Sequence, residues 1–305
     1  MMITRPSAPA AGENIELAIV AQGTACMALP ELADVRRRSI EKFAVLRPQL
    51  LKHSDEQTLA SLVALSQAVD DFPLARDFSR WAVVSSSRHL GRAAFAGVVE
   101  KYRVDGPWGV SVQVIPNATP HAIASTISLA LDSHGPCAGA GTGADDEAHA
   151  LCAAANLLQD AECPGAWIAF TAWSPESAFD GTARPGSEAV CLAVVLAVVN
   201  CREARALSAR AIGRIEVGLP RTIRTPSMPA APEKPASLGL TEYLVAHAGQ
   251  GERLCLTSGG IRIAIDWTGM SAATSHRRGT AAHDGSFDSR HSMEPRAVPT
   301  AFPIR

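Results

Sequence analysis

The feature of the sequence that most resembles a functional site is a glycine-rich stretch leading into a helical pattern. Residues 135–151 read GPCAGAGTGADDEAHAL. Backbone N–H groups and the positive end of a helix dipole converge at such a junction, so enzymes often hold a nucleophile or a phosphate there. Here the turn leads to Ala144, which has no reactive group, and then to Asp145, Asp146 and Glu147. Carboxylates in the first turn stabilise a helix through its dipole without any catalytic role.

Two other chemistries are suggested by the same stretch, and each lacks a part that it needs. Residues Gly139 to Ala144 match the G-x-G-x-x-A dinucleotide fingerprint, which works only directly after a strand. Residues 132–136 predict a turn there instead. Asp145 and His149 share one helical face, but no second group of ligands follows at a spacing typical of zinc. We therefore predict neither a cofactor nor a metal.

Other nucleophiles stand outside any known motif. The chain has no G-x-S-x-G sequence, the pattern of a nucleophile elbow in hydrolases. Cys137 and Cys152 do not lie at a helix start, where a thiol becomes reactive, and are predicted to be core residues. Ser85, Ser86 and Ser87 follow an apolar run and are more typical of the end of a strand, although they leave an alternative nucleophile open.

Composition narrows the class of protein. The 305 residues are 47% hydrophobic and carry a net charge of -2, so nothing indicates a nucleic acid or an anionic membrane as partner. The longest apolar run, residues 189–199, is shorter than the roughly 20 residues that span a bilayer. Residues 1–12 lack the apolar segment of a signal peptide. The seven cysteines form no paired motif, so we expect reduced thiols and a cytoplasmic protein.

Apolar periodicity predicts an α/β fold in which helices flank a mixed sheet. The predicted strands cover residues 15–21, 81–84, 110–115, 165–170, 189–199 and 211–219, with a hairpin over 254–265. The predicted helices cover residues 54–70, 95–102, 118–131, 145–159, 203–209 and 238–248.

The sequence also predicts domain limits. A flexible N-terminus (1–12) precedes one domain over residues 13–268, which contains a proline-rich surface loop at 220–237, and a disordered tail follows at 269–305.

Two local patterns add expectations. Ser54 and Gln57 form a capping box, with Ser54 as the N-cap of the helix that follows. The run of Arg36, Arg37 and Arg38 is predicted to be a solvated charge cluster at a helix start. The alternative is that it grips a phosphate, such as that of a carrier-bound thioester.

The order of these pieces resembles the β-ketoacyl synthases, which have the thiolase-like layered fold. The resemblance is carried by Gly135-Pro136, by Thr142 before the nucleophile position, and by the run AHAL at residues 148–151. The strand at 189–199, its linker and the returning strand follow in the family's order. The resemblance covers roughly residues 15–219 and is nearer to a truncated type, similar to the chain-length-factor-like subunits of aryl-polyene and type II polyketide systems.

The resemblance implies a nucleophile elbow at Gly141, Thr142, Gly143 and Ala144, with Ala144 in place of the catalytic cysteine. The sequence departs from the family in a second way, because the family's two histidine motifs have no counterpart after Val217. Ala144→Cys is therefore not expected to restore condensation. Alanine cannot attack a thioester.

The resemblance further places Asn117, His121, Ser125 and Ile127 at a subunit interface that lines the acyl tunnel. It implies a cytoplasmic, non-catalytic subunit that pairs with an active ketosynthase and meets an acyl carrier protein in fatty acid or polyketide biosynthesis. An independent acyltransferase or thioester hydrolase with another nucleophile, and a scaffold of thiolase-like fold, are the alternatives.

Overall fold

The computed structural model describes residues 14–38, 43, 45–46, 48–72, 77–112, 114–140, 146–160, 162–175, 188–206, 211–218, 239–247, 253–258 and 261–267. The predicted N-terminal segment, proline-rich loop and C-terminal tail lie outside these residues. The domain limits drawn from the sequence therefore remain predictions.

Eight strands form one mixed sheet in the order β3-β2-β4-β5-β1-β6-β8-β7. The strands are β1 (Asn14–Ala28), β2 (Ala82–Ser87), β3 (Cys137–Ala140), β4 (Ala166–Ser174), β5 (Val190–Asn200), β6 (Gly213–Gly218), β7 (Arg253–Ser258) and β8 (Ile261–Asp266). The β3, β2 and β4 strands are parallel, whereas every other pair is antiparallel. The expected α/β fold with a mixed sheet is confirmed.

Nine helices accompany the strands among the described residues. They are α1 (Leu29–Arg38), α2 (Pro48–Leu51), α3 (Glu56–Asp71), α4 (Arg92–Asp105), α5 (Val114–Ala118), α6 (His121–Leu131), α7 (Asp146–Leu157), α8 (Cys201–Ala206) and α9 (Leu240–His247). A 3-10 turn, Gly106–Gly109, follows α4.

The helices cover both faces of the sheet, because the side chains of a strand alternate between its two faces. On one face, α1, α3 and α6 pack over a core that includes Trp167 and Val195. On the other face, α7 and α9 pack over Phe170, Val194 and Ile265. The central strand β5 is buried along nearly its whole length, which explains why its sequence is a continuous apolar run rather than an alternating one.

Three predictions about local structure are wrong, and the strand β3 was not predicted, although it leads into the glycines where the sequence indicated only a turn. The strand expected over residues 110–115 is absent from that part of the described chain, and α5 begins at Val114. The N-cap of α3 is Asp55 instead of Ser54, because the Asp55 carboxylate accepts the hydrogen bond from the N–H of Gln57. The arginine run forms the last turn of a helix, not its start, where the positive charges complement the dipole.

The segment between β2 and α6 leaves the body of the domain and returns to it. This excursion (residues 92–112 and 114–118) contains α4, the 3-10 turn and α5. None of the described side chains of α4 or of the 3-10 turn is buried. Gly91 and Ala118 meet at the base of the excursion, since a Cβ at Gly91 would lie 2.2 Å from the Ala118 carbonyl oxygen.

Candidate functional site

The junction singled out in the sequence lies at one edge of the sheet. The edge strand β3 runs parallel to β2 and leads into the glycines, and α7 begins at Asp146. The predicted elbow residues Gly141, Thr142, Gly143 and Ala144 lie outside the described residues. Their role therefore remains a prediction, although a strand before the turn and a helix after it are the context that an elbow needs.

The start of α6 is held against this edge. A Cβ at Gly139 would lie 2.4 Å from the Pro120 carbonyl oxygen, so only glycine permits this approach of β3 to the backbone. The Ser85 hydroxyl donates a hydrogen bond to the same oxygen at 3.1 Å. Both contacts fix the N-terminal end of α6 over β2 and β3.

Two stripes of α6 have different environments. His121, Ser125 and Leu129 recur every four residues, and His121 and Leu129 are exposed while Ser125 is half-buried. Ile123 and Ile127 lie on another stripe and are fully buried in the core against the sheet. Of the α6 residues assigned to an interface, His121 and Ser125 are therefore accessible from outside, and Ile127 packs inside this chain.

Cys137 on β3 lies beside the accessible stripe of α6. Its Sγ atom is 3.9 Å from Nε2 of His121. Burial raises the pKa of the Cys137 thiol, and a hydrogen bond with Ser125 only partly offsets this effect. The thiol is thus protonated near neutral pH, which lowers its reactivity because the thiolate is the nucleophilic form. Cys137 is half-buried rather than a core residue, whereas Cys152 is buried as predicted.

The three serines offered as alternative nucleophiles lie inside the sheet. Ser85, Ser86 and Ser87 belong to β2 and are at most 1% exposed. The Ser86 and Ser87 hydroxyls have no hydrogen-bond partner among the described residues. Attack on a thioester requires contact with the substrate, so these buried hydroxyls are unsuited to it.

Glu147, in the first turn of α7, is the centre of a buried polar network. Its Oε2 accepts a hydrogen bond from the N–H of Leu240 at 2.9 Å. Its Oε1 accepts bonds from the N–H and the hydroxyl of Thr241 at 3.0 and 2.5 Å. The carboxylate therefore caps the start of α9, where backbone N–H groups have no partner within their own helix. The sequence suggested only that it stabilises the start of α7.

Arg88, just after β2, completes this network. Its guanidinium lies 3.4 Å from Oε2 of Glu147 and 3.7 Å from Oε1 of Glu242. The three charged side chains are between 10% and 20% exposed. The network therefore ties together the end of β2, the start of α7 and the start of α9. The only sign of this network in the sequence was an acidic residue in the first turn of a predicted helix. Its hydrogen-bond partners Leu240 and Thr241 lie 93 and 94 residues further along the chain.

The arginine run is engaged within the chain. Arg36 donates hydrogen bonds to Oε1 of Glu56 at 2.9 Å and to the Ser54 carbonyl oxygen at 2.8 Å. Arg37 pairs with Asp34. The Arg36 contacts hold α1 against the start of α3, whereas the Arg37–Asp34 pair lies within α1. Both arginines thus have partners in the chain without a phosphate.

The described part of the chain has no group of metal ligands and no cavity that indicates a second functional site. No group of three or more His, Cys, Asp or Glu side chains lies close enough to hold an ion there. A cavity of about 280 Å³ is lined by β6, β7 and β8 residues, among them Arg214, Glu216 and Arg253. It lies at the opposite end of the sheet from β3. Two of its charges pair with each other, Arg253 with Glu216.

Comparisons with known proteins find solved structures of similar fold, but no family or curated protein with a similar sequence. No protein-family model and no curated protein matches the chain. A chain from the ketosynthase ApeO in complex with its chain length factor ApeC, from Xenorhabdus doucetiae, superposes with a TM-score of 0.53 at 11% identity. The match covers 83% of this chain and 99% of that one. The chain has the thiolase-like fold of the ketosynthases.

Two other ketosynthase structures match less completely. A chain of the AntDE:AntF complex, a type II polyketide acyl carrier protein with its ketosynthase, matches at 12% identity and a TM-score of 0.49, over 66% of this chain and 67% of that one. The ishigamide ketosynthase/chain length factor matches at 14% identity and a TM-score of 0.47, over 66% of each chain. In the described residues, no helix has the length and apolarity that crossing a membrane requires.

Proposed function

We propose that this chain is a non-catalytic ketosynthase-like subunit that pairs with an active ketosynthase and shapes the acyl tunnel between them. The observation that carries the proposal is the thiolase-like fold, matched over nearly all of a chain from a ketosynthase–chain length factor complex, combined with an alanine at position 144. By the resemblance, that position belongs to the nucleophile. Alanine has no group that forms a thioester.

The edge of the sheet supports pairing. Among the described strands, β3 contacts only β2 and offers its other side to a further strand. An unpaired edge presents a row of N–H and C=O groups to which a second chain can bind. The accessible stripe of α6 lies next to this edge, and its exposed Leu129 adds an apolar contact. An interface over β3 and α6 would place His121 and Ser125 between the subunits.

An acyl carrier protein is the second expected partner. A ketosynthase-like subunit that shapes the tunnel works while the growing acyl chain is presented on such a carrier. One solved structure with the likeness described above contains a carrier protein with its ketosynthase. The tunnel assignment of Asn117, His121 and Ser125 remains part of the proposal.

The pairing is tested by co-expressing the chain with the ketosynthase encoded nearest to its gene. Size-exclusion chromatography with light scattering should show a one-to-one complex. Leu129→Glu should weaken it, because a charge replaces an exposed apolar side chain in the proposed interface. Val45→Glu is the matched control, since Val45 is also exposed, at 53% against 56% for Leu129, and lies outside α6. A chain that elutes alone beside an intact synthase contradicts the proposal.

A second candidate function rests on the contact between Cys137 and His121. A thiol beside an imidazole is the arrangement of a cysteine nucleophile and its base, so the pair supports an acyltransferase or thioester hydrolase. Incubation with an acyl-pantetheine thioester, followed by peptide mass spectrometry, tests it. Acylation of Cys137 that is lost in His121→Ala would establish this function. An unlabelled Cys137 and unchanged thioester would remove it.

A further inference from the structure

The excursion between β2 and α6 carries nearly all of the exposed large apolar side chains in the described part of the chain. Six of the eight residues of this kind lie on it, and Val45 and Leu129 are the others. The six are Phe95, Val99, Tyr102, Val104, Trp108 and Val112. Contiguous exposed apolar surface on a folded protein marks a place where another molecule binds.

The helix α4 presents this surface on one side. Phe95, Val99 and Tyr102 follow each other at intervals of four and three residues, which places them on one helical face. Their exposed fractions are 38%, 50% and 57%. Trp108, in the 3-10 turn after α4, is 96% exposed. The helix has 14 residues, an apolar face and no buried side chain among those that the structure describes. It therefore lacks the tertiary packing that normally stabilises a helix of this length.

The base of the excursion is nevertheless held in place. The N–H of Gly91 donates a hydrogen bond to Oδ2 of Asp55 at 3.2 Å. Nε2 of Gln57 donates to the carbonyl oxygen of Arg88 at 3.0 Å. The two ends of the excursion also touch, at Gly91 and Ala118. The apolar face is therefore attached to the body at a defined point, which reduces the entropy that binding would cost.

We propose that the excursion is a docking arm that packs its apolar face against the partner synthase subunit. The proposal rests on the proposed function, and it names an element of the interface other than β3 and α6. The arm ends at Ala118, and α6 begins three residues later at His121. The docking arm thus adjoins, along the chain, the helix whose accessible stripe is expected at the subunit interface.

The size and composition of the docking arm suit a protein partner. A stable interface of standard size buries about 800 Å² on each side, and a buried aromatic side chain accounts for about 150–250 Å². Phe95, Tyr102 and Trp108 with the exposed valines supply a large part of this area. Tryptophan and tyrosine are also the residues that most often dominate binding energy between proteins.

The charges of α4 favour a protein over a membrane surface. The exposed charges of α4 are three basic and two acidic: Arg92, Lys101 and Arg103, with Glu100 and Asp105 among them. A helix that lies on anionic lipid carries a clear excess of basic residues on its polar face. The mixed charges of α4 instead match a polar rim around an apolar contact.

The test measures the affinity of purified chain for the ketosynthase encoded nearest to its gene. Val99→Glu and Trp108→Ser should each raise the Kd about tenfold or more, as expected for central interface residues. Val45→Glu replaces a valine with nearly the same exposure outside the arm, 53% against 50%, and should leave the Kd within about twofold of the wild type. All three variants should keep the unfolding midpoint of the wild type, because the replaced side chains are exposed.

Hydrogen exchange of the unmodified chain supplies a readout that needs no variant. Amides of residues 92–105 should gain protection when the synthase is added. Wild-type affinity in both arm variants, or unchanged exchange of these amides in a complex that forms, would overturn the docking arm and leave the proposed function standing. A wild-type chain that does not bind the synthase overturns both. Arm variants that lose self-association, or lose binding to phosphatidylglycerol vesicles, while keeping synthase affinity would assign the arm to another occupant and overturn the proposal.

Discussion

Oε1 of Glu147 accepts hydrogen bonds from both the backbone N–H and the hydroxyl of Thr241, at 3.0 and 2.5 Å. The contact joins the helix after the predicted elbow to a helix 94 residues further along the chain. Its carboxylate is nearly buried and is shared with Arg88. The position of α7 therefore depends on α9.

Replacing this carboxylate should destabilise the domain. Glu147→Gln removes the charge opposite Arg88 and turns an amide donor toward donors of Thr241 or Leu240. Breaking a buried, charged and hydrogen-bonded pair costs about 3 kcal/mol, and urea unfolding measures the loss. Glu100→Gln, on the exposed helix α4, is the control and should change stability by no more than about 0.5 kcal/mol. Equal midpoints for the two variants would contradict the capping role.

Two glycines of the same region should respond in opposite directions to alanine. Gly91 has φ of 69°, and its Cβ would collide with the Ala118 carbonyl oxygen, so Gly91→Ala should cost at least about 2 kcal/mol. Gly97 lies within α4 with open space around its Cα. Gly97→Ala should therefore stabilise by about 0.5–1 kcal/mol, because it lowers the entropy of the unfolded chain. Thermal unfolding of both variants distinguishes this account from one in which the base of the arm is loosely packed.

Asp55 should make stability depend on pH in the acid range. Burial, and next the charge of Glu56, raise the pKa of the Asp55 carboxyl to about 6, against hydrogen bonds from the N–H groups of Gln57 and Gly91. The folded state thus binds this proton more tightly than the unfolded state, whose pKa is 3.8. The stabilisation of the folded state by this proton is complete below pH 4 and is lost as pH rises through 6. The loss is about 3 kcal/mol at about 1.4 kcal/mol per pKa unit.

The measurement is the difference in unfolding free energy between the wild type and Asp55→Asn from pH 4 to pH 7. Asparagine keeps the cap of α3, since it is as good an N-cap as aspartate, but it does not titrate. The wild type should therefore lose stability relative to the variant as pH rises. Parallel curves for the two proteins would show that Asp55 titrates like an exposed aspartate.

The fold was predictable wherever one pattern dominated locally. The long apolar run of β5 and the capped, amphipathic helix α3 were predicted close to their observed limits. The alternating residues 110–115 wrongly predicted a strand. The excursion is exposed, so burial against a core does not favour the two-residue period of a strand over the period of a helix there. The periodicity of α4 predicted its helix but not its exposure, since an apolar period indicates a need for burial but not what supplies it.

The site was less predictable because it depends on distant contacts. Glu147 carried no sign of its partners on α9, and Arg88 stood in no motif. Ile127 was assigned to an interface with His121, yet the two residues lie on different stripes of α6. A small-residue helix does not reveal which of its faces meets the sheet until neighbouring strands such as β3 are placed.

Cysteine labelling should separate the two candidate functions. Iodoacetamide at pH 7 should modify the exposed Cys255 and spare Cys191, which is buried and whose thiol pKa burial raises well above its usual value. Cys137 should react slowly at pH 7 and faster at pH 9, because burial raises its pKa. Peptide mass spectrometry gives the extents. If Cys137 is the fastest of the three at pH 7, His121 activates it and the catalytic alternative gains over the non-catalytic one.

Native mass spectrometry of the co-expressed chain and its neighbouring ketosynthase is the most direct test of non-catalytic pairing. We expect a one-to-one complex whose mass is that of the synthase plus 32.0 kDa for this chain. This chain should carry no covalent acyl group after incubation with acyl carrier protein and malonyl thioester. A mass corresponding to this chain alone, or an acyl adduct carried on it, would contradict the claim.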